Sequence, residues 1–348
     1  MCNAKINIMT ASTLSQISTY SLENQNDWQF EMQRAITDID ELRHQLSLPN
    51  LDAMQISGFP LLVPRPYLNR IQKGNSRDPL LLQVLPLGVE NVAAPGYQLQ
   101  PLQEDRFNPV PGLIHKYHSR VLLTVTGACA INCRYCFRRH FDYQANQVSQ
   151  AQWQRAIDYI ANEPSITEVI FSGGDPLMAP DKVLARLVKR LETIQHLRYL
   201  RIHTRLPIVI PSRVNSAMLD WLQATRFKVS VVLHCNHPQE IDEHVVLGIK
   251  RLHDAKVTLL NQSVLLKQVN DSSQTLADLS YALYDAGVLP YYLHLLDKVQ
   301  GAFHFAVSDA EAIKLHSELL ATLPGYLVPK LVREIPGQPS KTPIFNIG

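Results

Sequence analysis

Three cysteines constrain this chain more than any other feature. Cys129, Cys133 and Cys136 have the spacing CxxxCxxC in the segment CAINCRYCFRR, which directly follows the apolar run VLLTVT. A structural zinc site takes four protein ligands, whereas a four-iron cluster held by three cysteines leaves one iron open to a small molecule. A disulfide between two of them would leave an odd thiol. The spacing therefore favours a [4Fe–4S] cluster, with a zinc or redox site as the alternative.

Composition excludes several classes of protein. Lysine and arginine total 33 against 31 acidic residues, so the net charge of +2 gives no electrostatic basis for binding nucleic acid or an anionic membrane. The polar start MCNAKINIMTASTLS lacks the apolar stretch of a secretory signal, and no window of about 18 apolar residues occurs. We expect a soluble cytoplasmic protein that is compatible with an oligomer. Of the other cysteines, Cys2 is expected to be unpaired at the terminus and Cys235 to be a small core residue.

The first third of the chain has the pattern of a helical region. Residues 1–25 show no clear period and are predicted to be irregular. In 28–46 apolar residues recur near helical spacing, which predicts one amphipathic helix. Prolines then punctuate FPLLVPRPYLNRI, DPLLLQVLPLGVE and a connector that ends near Pro111. We place a boundary there, which gives an N-terminal helical region, 1–110.

Beyond Pro111, strands and helices alternate, as expected of βα units around a parallel sheet. The predicted strands are 121–126, 168–172, 199–203, 228–233, 257–263 and 291–295. The predicted crossover helices are 152–162, 181–194, 216–225, 243–254 and 275–286. Six strands predict an α/β fold, a partial (β/α)6 barrel over 111–307, followed by a C-terminal segment, 308–348. In such barrels the chemistry takes place at the carboxyl ends of the strands.

Several motifs fall at these strand ends. Gly173, Gly174 and Asp175 form a glycine turn at which bare backbone can approach a ligand, although a plain βα turn has the same pattern. His203 and Arg205 in the segment HTR suit a carboxylate or a ribose, with a structural arginine as the alternative.

Further candidates lie before the first barrel strand and near the C-terminus. Lys116, Tyr117 and Arg120 in HKYHSR can hold a phosphate or stack on an aromatic ring, and a solvated loop is the alternative. Gln262 in NQSVLL, like the segment HCNHP, suits hydrogen bonding to the scaffold or to a cofactor. Lys341 in PGQPSK stands on a short turn, from which a lysine with a lowered pKa can bind pyridoxal 5′-phosphate (PLP) covalently.

Six ordered segments carry a resemblance to a known family. They are HKYHSRVLLTVTGACAINCRYCFRRHF, FSGGDPL, IHTRLPIVIPSR, HCNHPQEI, NQSVLL and YYLHLLDKVQGAFHF. Together with the terminal lysine they resemble the lysine 2,3-aminomutase family of radical S-adenosylmethionine (SAM) enzymes, from about residue 75 to the end. The resemblance implies a radical SAM barrel, a [4Fe–4S] cluster with SAM on its open iron, PLP, and migration of the amino group of lysine from C2 to C3.

The resemblance also implies roles for individual residues. It assigns the cluster to the three cysteines, the amino group of SAM to the glycine turn, and PLP to Lys341, whose PGQPSK loop stands where the family has PGGGGK. It implies that Arg138 binds the substrate carboxylate. Asp297 and Glu334 are implied to receive the distal ammonium of lysine, and the family has aspartate where Glu334 stands. The other cofactor-binding candidates are Lys116, Tyr117, Arg120, His203, Arg205 and Gln262.

The C-terminal end of the sequence indicates which members of this family it resembles most. Lysine-fermenting members of the family have an additional C-terminal tail with cysteines, whereas this sequence stops soon after Lys341. The short form resembles members that make (R)-β-lysine, which a separate lysyl ligase attaches to elongation factor P. Two alternatives stay open at this point: a radical SAM activase or methyltransferase without PLP, and a metal-binding protein that is not an enzyme.

Overall fold

The computed structural model describes residues 27–143 and 150–345. The strands of the described residues are β1 (Leu113–Tyr117), β2 (Arg120–Thr126), β3 (Glu168–Gly173), β4 (Tyr199–Thr204), β5 (Lys228–His234), β6 (Thr258–Val264), β7 (Leu289–His294), β8 (Lys330–Arg333) and β9 (Thr342–Pro343). They form one sheet in the order of the chain, β1 to β9. Neighbouring strands from β2 to β8 are parallel, whereas β1 with β2 and β8 with β9 are antiparallel.

Helices follow the parallel strands, as crossover connections require. The α-helices described are Asp27–Gln33, Ile39–Gln45, Arg65–Leu68, Pro79–Leu82, Gln150–Ala161, Asp181–Leu191, Leu206–Val209, Ser216–Ala224, Glu243–Asp254, Ser273–Asp285 and Asp309–Thr322. Polar side chains cap several of them: Asp242 accepts a hydrogen bond from Val245 N, and Ser272 accepts one from Thr275 N. Such caps fix where each helix leaves the preceding loop.

The predicted partial barrel is confirmed. Each of the six predicted strands coincides with one of β2 to β7 within about two residues, and β8 extends the parallel sheet by one strand. Besides β8, the structure adds two antiparallel strands to the six predicted ones, β1 and β9. The segment HKYHSR, expected as a loop cluster, is the hairpin of β1 and β2, in which Tyr117 pairs with Arg120. The strand β9 pairs with β8 through Thr342 and Arg333.

The prediction of one helix over 28–46 is wrong. The helix ends at Gln33 because Ile36 leaves the helical path to form a two-way backbone pair with Val63, at 2.8 and 2.9 Å. A new helix begins after Asp38, which caps it through Glu41 N at 2.8 Å. A distant partner therefore overrides the local helical period. The irregular structure predicted for 1–25, and Cys2, lie outside the described residues.

The hydrophobic core is continuous across the predicted boundary near Pro111. One cluster of buried side chains extends from Trp28 to Val288, and it includes the free cysteine Cys235, which is 0% exposed, as predicted for a core residue. A second cluster packs helix Asp309–Thr322 against β7 and β8. Within the described residues, no helix has the length and apolar character needed to cross a membrane.

Candidate active site

The carboxyl ends of the parallel strands open into one cavity of about 760 Å³. Every residue predicted for the site lines it. These residues are Cys129, Cys133, Cys136, Lys116, Tyr117, Arg120, Arg138, Gly173, Gly174, Asp175, His203, Arg205, Gln262, Asp297, Glu334 and Lys341. The fold thus brings the cysteine loop and the C-terminal lysine to the same space.

The cysteine loop follows β2 and turns tightly, with Cys136 N donating to Cys133 O at 2.9 Å. All three cysteines are free thiols. Burial raises the pKa of Cys129 and raises that of Cys136 to about 11, and the neighbouring cysteines add to both effects. Loading of a metal cluster therefore has to expel thiol protons.

The donor set on this loop fits a cluster better than a single ion. Among the described residues, no three His, Cys, Asp or Glu side chains are grouped closely enough to hold one metal ion. A [4Fe–4S] cluster uses one cysteine for each iron, so its ligands lie farther apart. Three sulfurs facing a large cavity fit such a cluster and leave its fourth iron open.

Arg205 is turned toward the cysteine loop. Its Nη1 donates to Cys133 Sγ at 2.7 Å, while Nη2 donates to Glu240 Oε2 at 2.8 Å and to Gln83 Oε1 at 2.7 Å. Burial alone would lower the pKa of Arg205, but the neighbouring anionic groups, including Glu240, raise it. The predicted cofactor contact of Arg205 is therefore directed at one of the three cysteines predicted to hold the cluster.

A buried charged triad supports the same loop from behind. Arg134 donates twice to Glu90, at 2.9 and 2.6 Å, and Arg139 donates to Glu90 Oε2 at 2.6 Å. Both guanidinium carbons lie within 5 Å of the ring centroid of Phe59. These side chains are almost completely buried. The triad joins the segment after the second cysteine to the N-terminal region.

The glycine turn packs directly against the cysteine loop. Gly174 N donates to Thr126 O and Asp175 N donates to Ala128 O, both at 2.8 Å. A Cβ atom at Gly174 would stand 2.3 Å from Ala128 O, and one at Gly173, where φ is +128°, would stand 2.3 Å from Thr126 O. Only glycine permits this approach. These two amides thus hold the loop that carries the cysteines.

The carboxylate of Asp175 is also engaged within the protein. It accepts hydrogen bonds from Thr204 Oγ1 at 2.7 Å, Arg205 N at 2.8 Å, and Leu177 N and Leu206 N at 3.0 Å. Burial raises its pKa, and these hydrogen bonds oppose that rise. Its direct role is to join the end of β3 to the end of β4; contact with SAM stays a prediction.

A chain of alternating charges crosses the cavity wall. Lys341 Nζ lies 2.8 Å from Glu334 Oε2, and Glu334 Oε1 lies 2.9 Å from Lys116 Nζ. Lys116 Nζ is 3.2 Å from Glu104 Oε1, and Glu104 binds Arg138 Nε and Nη2 at 2.7 and 2.9 Å. These five residues, which we call the charge chain, connect the C-terminal lysine to the cysteine side of the cavity.

The final hairpin places Lys341 in this chain. The strands β8 and β9 pair in antiparallel fashion, with the PGQPSK segment as the connection and Gly337 at φ +81° in the turn. Lys341 directly precedes β9, opposite Glu334, which directly follows β8. The Nζ atom also lies 5.7 Å from the ring centroid of Tyr292. A turn with one positive-φ glycine is enough to present the lysine to the cavity.

The two predicted substrate carboxylates have different environments. Burial would raise the pKa of Glu334, but Lys341 and Lys116 outweigh it and hold that pKa far below its usual range. The carboxylate of Asp297 has no hydrogen bond or ion-pair partner among the described residues. Burial, together with the charge of Glu334, raises the pKa of Asp297 to about 7. A cation bound next to Asp297 would therefore stabilise its charged form.

Three histidines lie at or near the carboxyl ends of β4, β5 and β7. Burial lowers the pKa of His203 and His294 strongly and that of His234 to about 3, so all three are neutral at pH 7. His234 Nε2 lies 2.8 Å from Gln262 Nε2. The Nε2 atoms of His203 and His294 are buried without a hydrogen-bond partner in the described part of the chain. Such orphaned atoms suit a polar cofactor.

The β1–β2 hairpin supplies the remaining predicted contacts. The guanidinium carbon of Arg120 lies 4.4 Å from the ring centroid of Tyr117. Burial and the nearby Glu334 raise the pKa of Tyr117, so the phenol is neutral. One wall of the cavity thus carries the guanidinium of Arg120, the phenol of Tyr117 and the ammonium of Lys116. This combination fits a phosphate group.

Sequence reasoning missed Glu104, Tyr292 and His294. Glu104 lies in the proline-rich segment that was taken as a connector, and its acidic side chain carries no period or motif that marks it. Tyr292 and His294 lie on a predicted strand, where their alternation with Leu293 was a usable signal for a shared face.

Comparison with known proteins agrees with this geometry. The model of the radical SAM superfamily matches residues 123–279. The L-lysine 2,3-aminomutase of Escherichia coli is 52% identical over 95% of this chain and 98% of that protein. The enzyme of the same name from Haemophilus influenzae is 50% identical over 92% and 96%. That from Clostridium subterminale is 34% identical over 92% of this chain and 78% of that protein.

Identity of this extent along the whole chain decides its family. The two enzymes that are at least 50% identical to this chain cover 95% and 92% of it. The chain belongs to the lysine 2,3-aminomutase family of radical SAM isomerases, whose cofactors are a [4Fe–4S] cluster, SAM and PLP.

Proposed function

We propose that this protein is a PLP-dependent 2,3-aminomutase that converts L-lysine to (R)-β-lysine. One observation carries the proposal: the cysteine loop and Lys341 line the same cavity of about 760 Å³. A cavity of this size holds several small groups at once. In the alternative, a radical SAM enzyme without PLP, Lys341 would serve only as the ion-pair partner of Glu334.

The residues around the cavity divide the work of holding these groups. Cys129, Cys133 and Cys136 hold the cluster, and Lys341 holds PLP. When bound, the cluster with SAM supplies an organic radical that takes hydrogen from the β-carbon of lysine, and PLP supplies the conjugated ring through which the amino group moves. The protein's contribution is to bind, orient and shield the reactants.

The charges of the cavity match both ends of lysine. Arg138, which already donates from Nη1 to Ser172 Oγ at 2.9 Å, offers a guanidinium for the α-carboxylate. Asp297, without a partner of its own, and Glu334 offer carboxylates for the distal ammonium. Once Lys341 holds PLP, Glu334 keeps Lys116 as a neighbour and can accept the substrate cation in place of Lys341. An amino acid without a distal cation would leave Asp297 unpaired.

We propose that the product serves elongation factor P. Nearly all of the E. coli relative is matched, whereas the Clostridium relative is longer than the matched region. The proposal rests on the resemblance to family members whose (R)-β-lysine is attached to this translation factor by a separate lysyl ligase. The link is then a released amino acid, which requires no nucleic-acid surface on this protein. The net charge of +2 agrees with that.

We also propose a division into an N-terminal helical region, 1–110, the radical SAM barrel, 111–307, and the C-terminal segment that carries the PLP lysine, 308–348. The continuous core across Pro111 supports a division by role, in which the first two parts fold together.

One assay tests the proposed reaction. The reconstituted protein is incubated without oxygen with reductant, SAM, PLP and L-lysine, and the product is identified by chiral chromatography. We expect (R)-β-lysine. Cys133→Ala should abolish product, while Cys235→Ala, at a buried cysteine outside the CxxxCxxC loop, should retain it. Lysine recovered unchanged from protein that holds iron and PLP would contradict the proposal.

A further inference from the structure

Glu104 is the one member of the charge chain for which the sequence suggested no role. It stands at the start of the short 3₁₀-helix Glu104–Phe107 and is 6% exposed. Its two oxygens bind Arg138 in a bidentate pair, and Oε1 also contacts Lys116. Removal of this buried carboxylate would therefore leave two buried cations without this partner.

We propose that Glu104 is a positioning residue that aligns Arg138 for the substrate carboxylate and Lys116 for the PLP side of the cavity. The proposal rests on the proposed function, because it gives Arg138 and Lys116 the ligands assigned there. It extends that function by making the N-terminal region a contributor to substrate recognition.

The contacts of Arg138 show why alignment depends on Glu104. Without it, the guanidinium keeps only neutral acceptors, Ser172 Oγ at 2.9 Å and Gly173 O at 3.3 Å. Both are bound through Nη1, so Nε and Nη2 would lose their hydrogen bonds and only the rings of Phe137 and Phe141 would contact the guanidinium there. The bidentate pair holds the plane of the guanidinium and thereby the direction of its remaining N–H group.

The charge balance leads to the same conclusion. Lys341, Lys116 and Arg138 are three cations in a row, and Glu334 and Glu104 separate them. If Glu104 loses its charge, Lys116 and Arg138 become neighbouring cations without a carboxylate between them. Their repulsion displaces Arg138, which then has no carboxylate partner, whereas Lys116 keeps Glu334.

The backbone holds Glu104 rigidly in place. Gln103 has a left-handed conformation, with φ +47°, at the residue that begins the 3₁₀ turn. A few residues earlier, Gln98 N donates to Lys298 O and Gln98 O accepts from Gln300 N, both at 2.9 Å. This pins the segment to the loop that carries Asp297. A strained residue kept by its surroundings is typical of a functional position.

The test measures ligand binding in the cluster- and PLP-loaded full-length protein, without reductant, by the change in PLP absorbance. Glu104→Gln, Glu104→Asp and Asp105→Asn are compared; Asp105 is the exposed neighbour on the same turn. Two ligands are titrated, L-lysine and 1,5-diaminopentane, which is lysine without its carboxylate. Iron content is measured in each preparation.

We expect Glu104→Gln to weaken lysine binding about 100-fold, the cost of misplacing a positioning group, and diamine binding about 10-fold or less. The diamine has no carboxylate for Arg138. Glu104→Asp, which keeps the charge on a shorter side chain, should recover part of the lost lysine affinity. Asp105→Asn should bind both ligands as tightly as the wild type does. The iron content of every variant should equal that of the wild type.

Three results would overturn the proposal. They are equal lysine affinity in Glu104→Gln and Asp105→Asn, equal weakening of both ligands, and a loss of iron in proportion to the loss of binding, which indicates a structural role alone. If Glu104→Gln does not fold, Glu104→Asp is used instead, and its loss of affinity for lysine is compared with its loss of affinity for the diamine. Formation of β-lysine is measured in the same wild-type preparation. Lysine binding without product would contradict the proposed reaction and leave the role of Glu104 standing.

Discussion

Replacing Asp297 by asparagine should stabilise the protein at high pH while weakening its function. The side chain keeps its shape and loses its charge. Burial and Glu334 raise the pKa of Asp297 from 3.8 to about 7 in the folded state. Between those pH values the unfolded chain has released this proton and the folded chain has kept it, so stability falls as pH rises through that window.

The size of the effect follows from the two pKa values. A rise from 3.8 to about 7 corresponds to about 4 kcal/mol of unfolding free energy once the pH exceeds both values. Water in the cavity screens the charge, so we take about half of this, about 2 kcal/mol. Asp297→Asn should therefore unfold at higher urea than the wild type at pH 8, and at the same urea at pH 4.

The assay is urea denaturation followed by tryptophan fluorescence, in protein free of PLP and lysine, at pH 4 and pH 8. Asp105→Asn is the control for the loss of an exposed carboxylate. The same Asp297→Asn variant should bind lysine about 10-fold more weakly when loaded with PLP, since its ammonium loses a charged partner. An equal gain in stability at both pH values, or none at pH 8, would refute the assigned environment of Asp297.

Three further changes test other parts of the site. Lys341→Ala should remove the absorbance of bound PLP and leave the iron content unchanged, whereas the exposed Lys314→Ala should keep both; PLP retained by Lys341→Ala would contradict the assignment. Gly174→Ala should lower iron incorporation, because its Cβ would stand 2.3 Å from a carbonyl oxygen of the cysteine loop, while Gly325→Ala, with open space around it, should load normally. Glu90→Gln should destabilise the protein by about 3–5 kcal/mol in urea denaturation, because it leaves two buried guanidinium groups unpaired; a smaller loss would show that the triad is not needed.

The parts of the fold that repeat locally could be predicted from the sequence. Six strands and their crossover helices follow from alternating apolar patterns, and a parallel sheet then brings the strand ends together. This is why the cysteine loop and the glycine turn could be assigned to one site from the strand ends, whereas Lys341 was assigned to it through the resemblance. The resemblance supplied the roles that spacing alone left open.

The parts that depend on distant partners could not be predicted. Ile36 breaks a helical pattern because it pairs with Val63, and no local signal marks that pair. Glu104 lies in a segment without a period, and its meaning comes only from Arg138 and Lys116. The amides of Gly174 and Asp175 hold the cysteine loop, a contact that exists only after the sheet has formed.

The central claim is that Lys341 holds PLP in the cavity that the cysteine loop faces. The most direct measurement is borohydride reduction of the PLP-loaded protein, followed by peptide mass mapping of the modified lysine. The account predicts that the pyridoxyl group is found on the peptide that contains Lys341. A pyridoxyl group on any other lysine, with Lys341 unmodified, would contradict it.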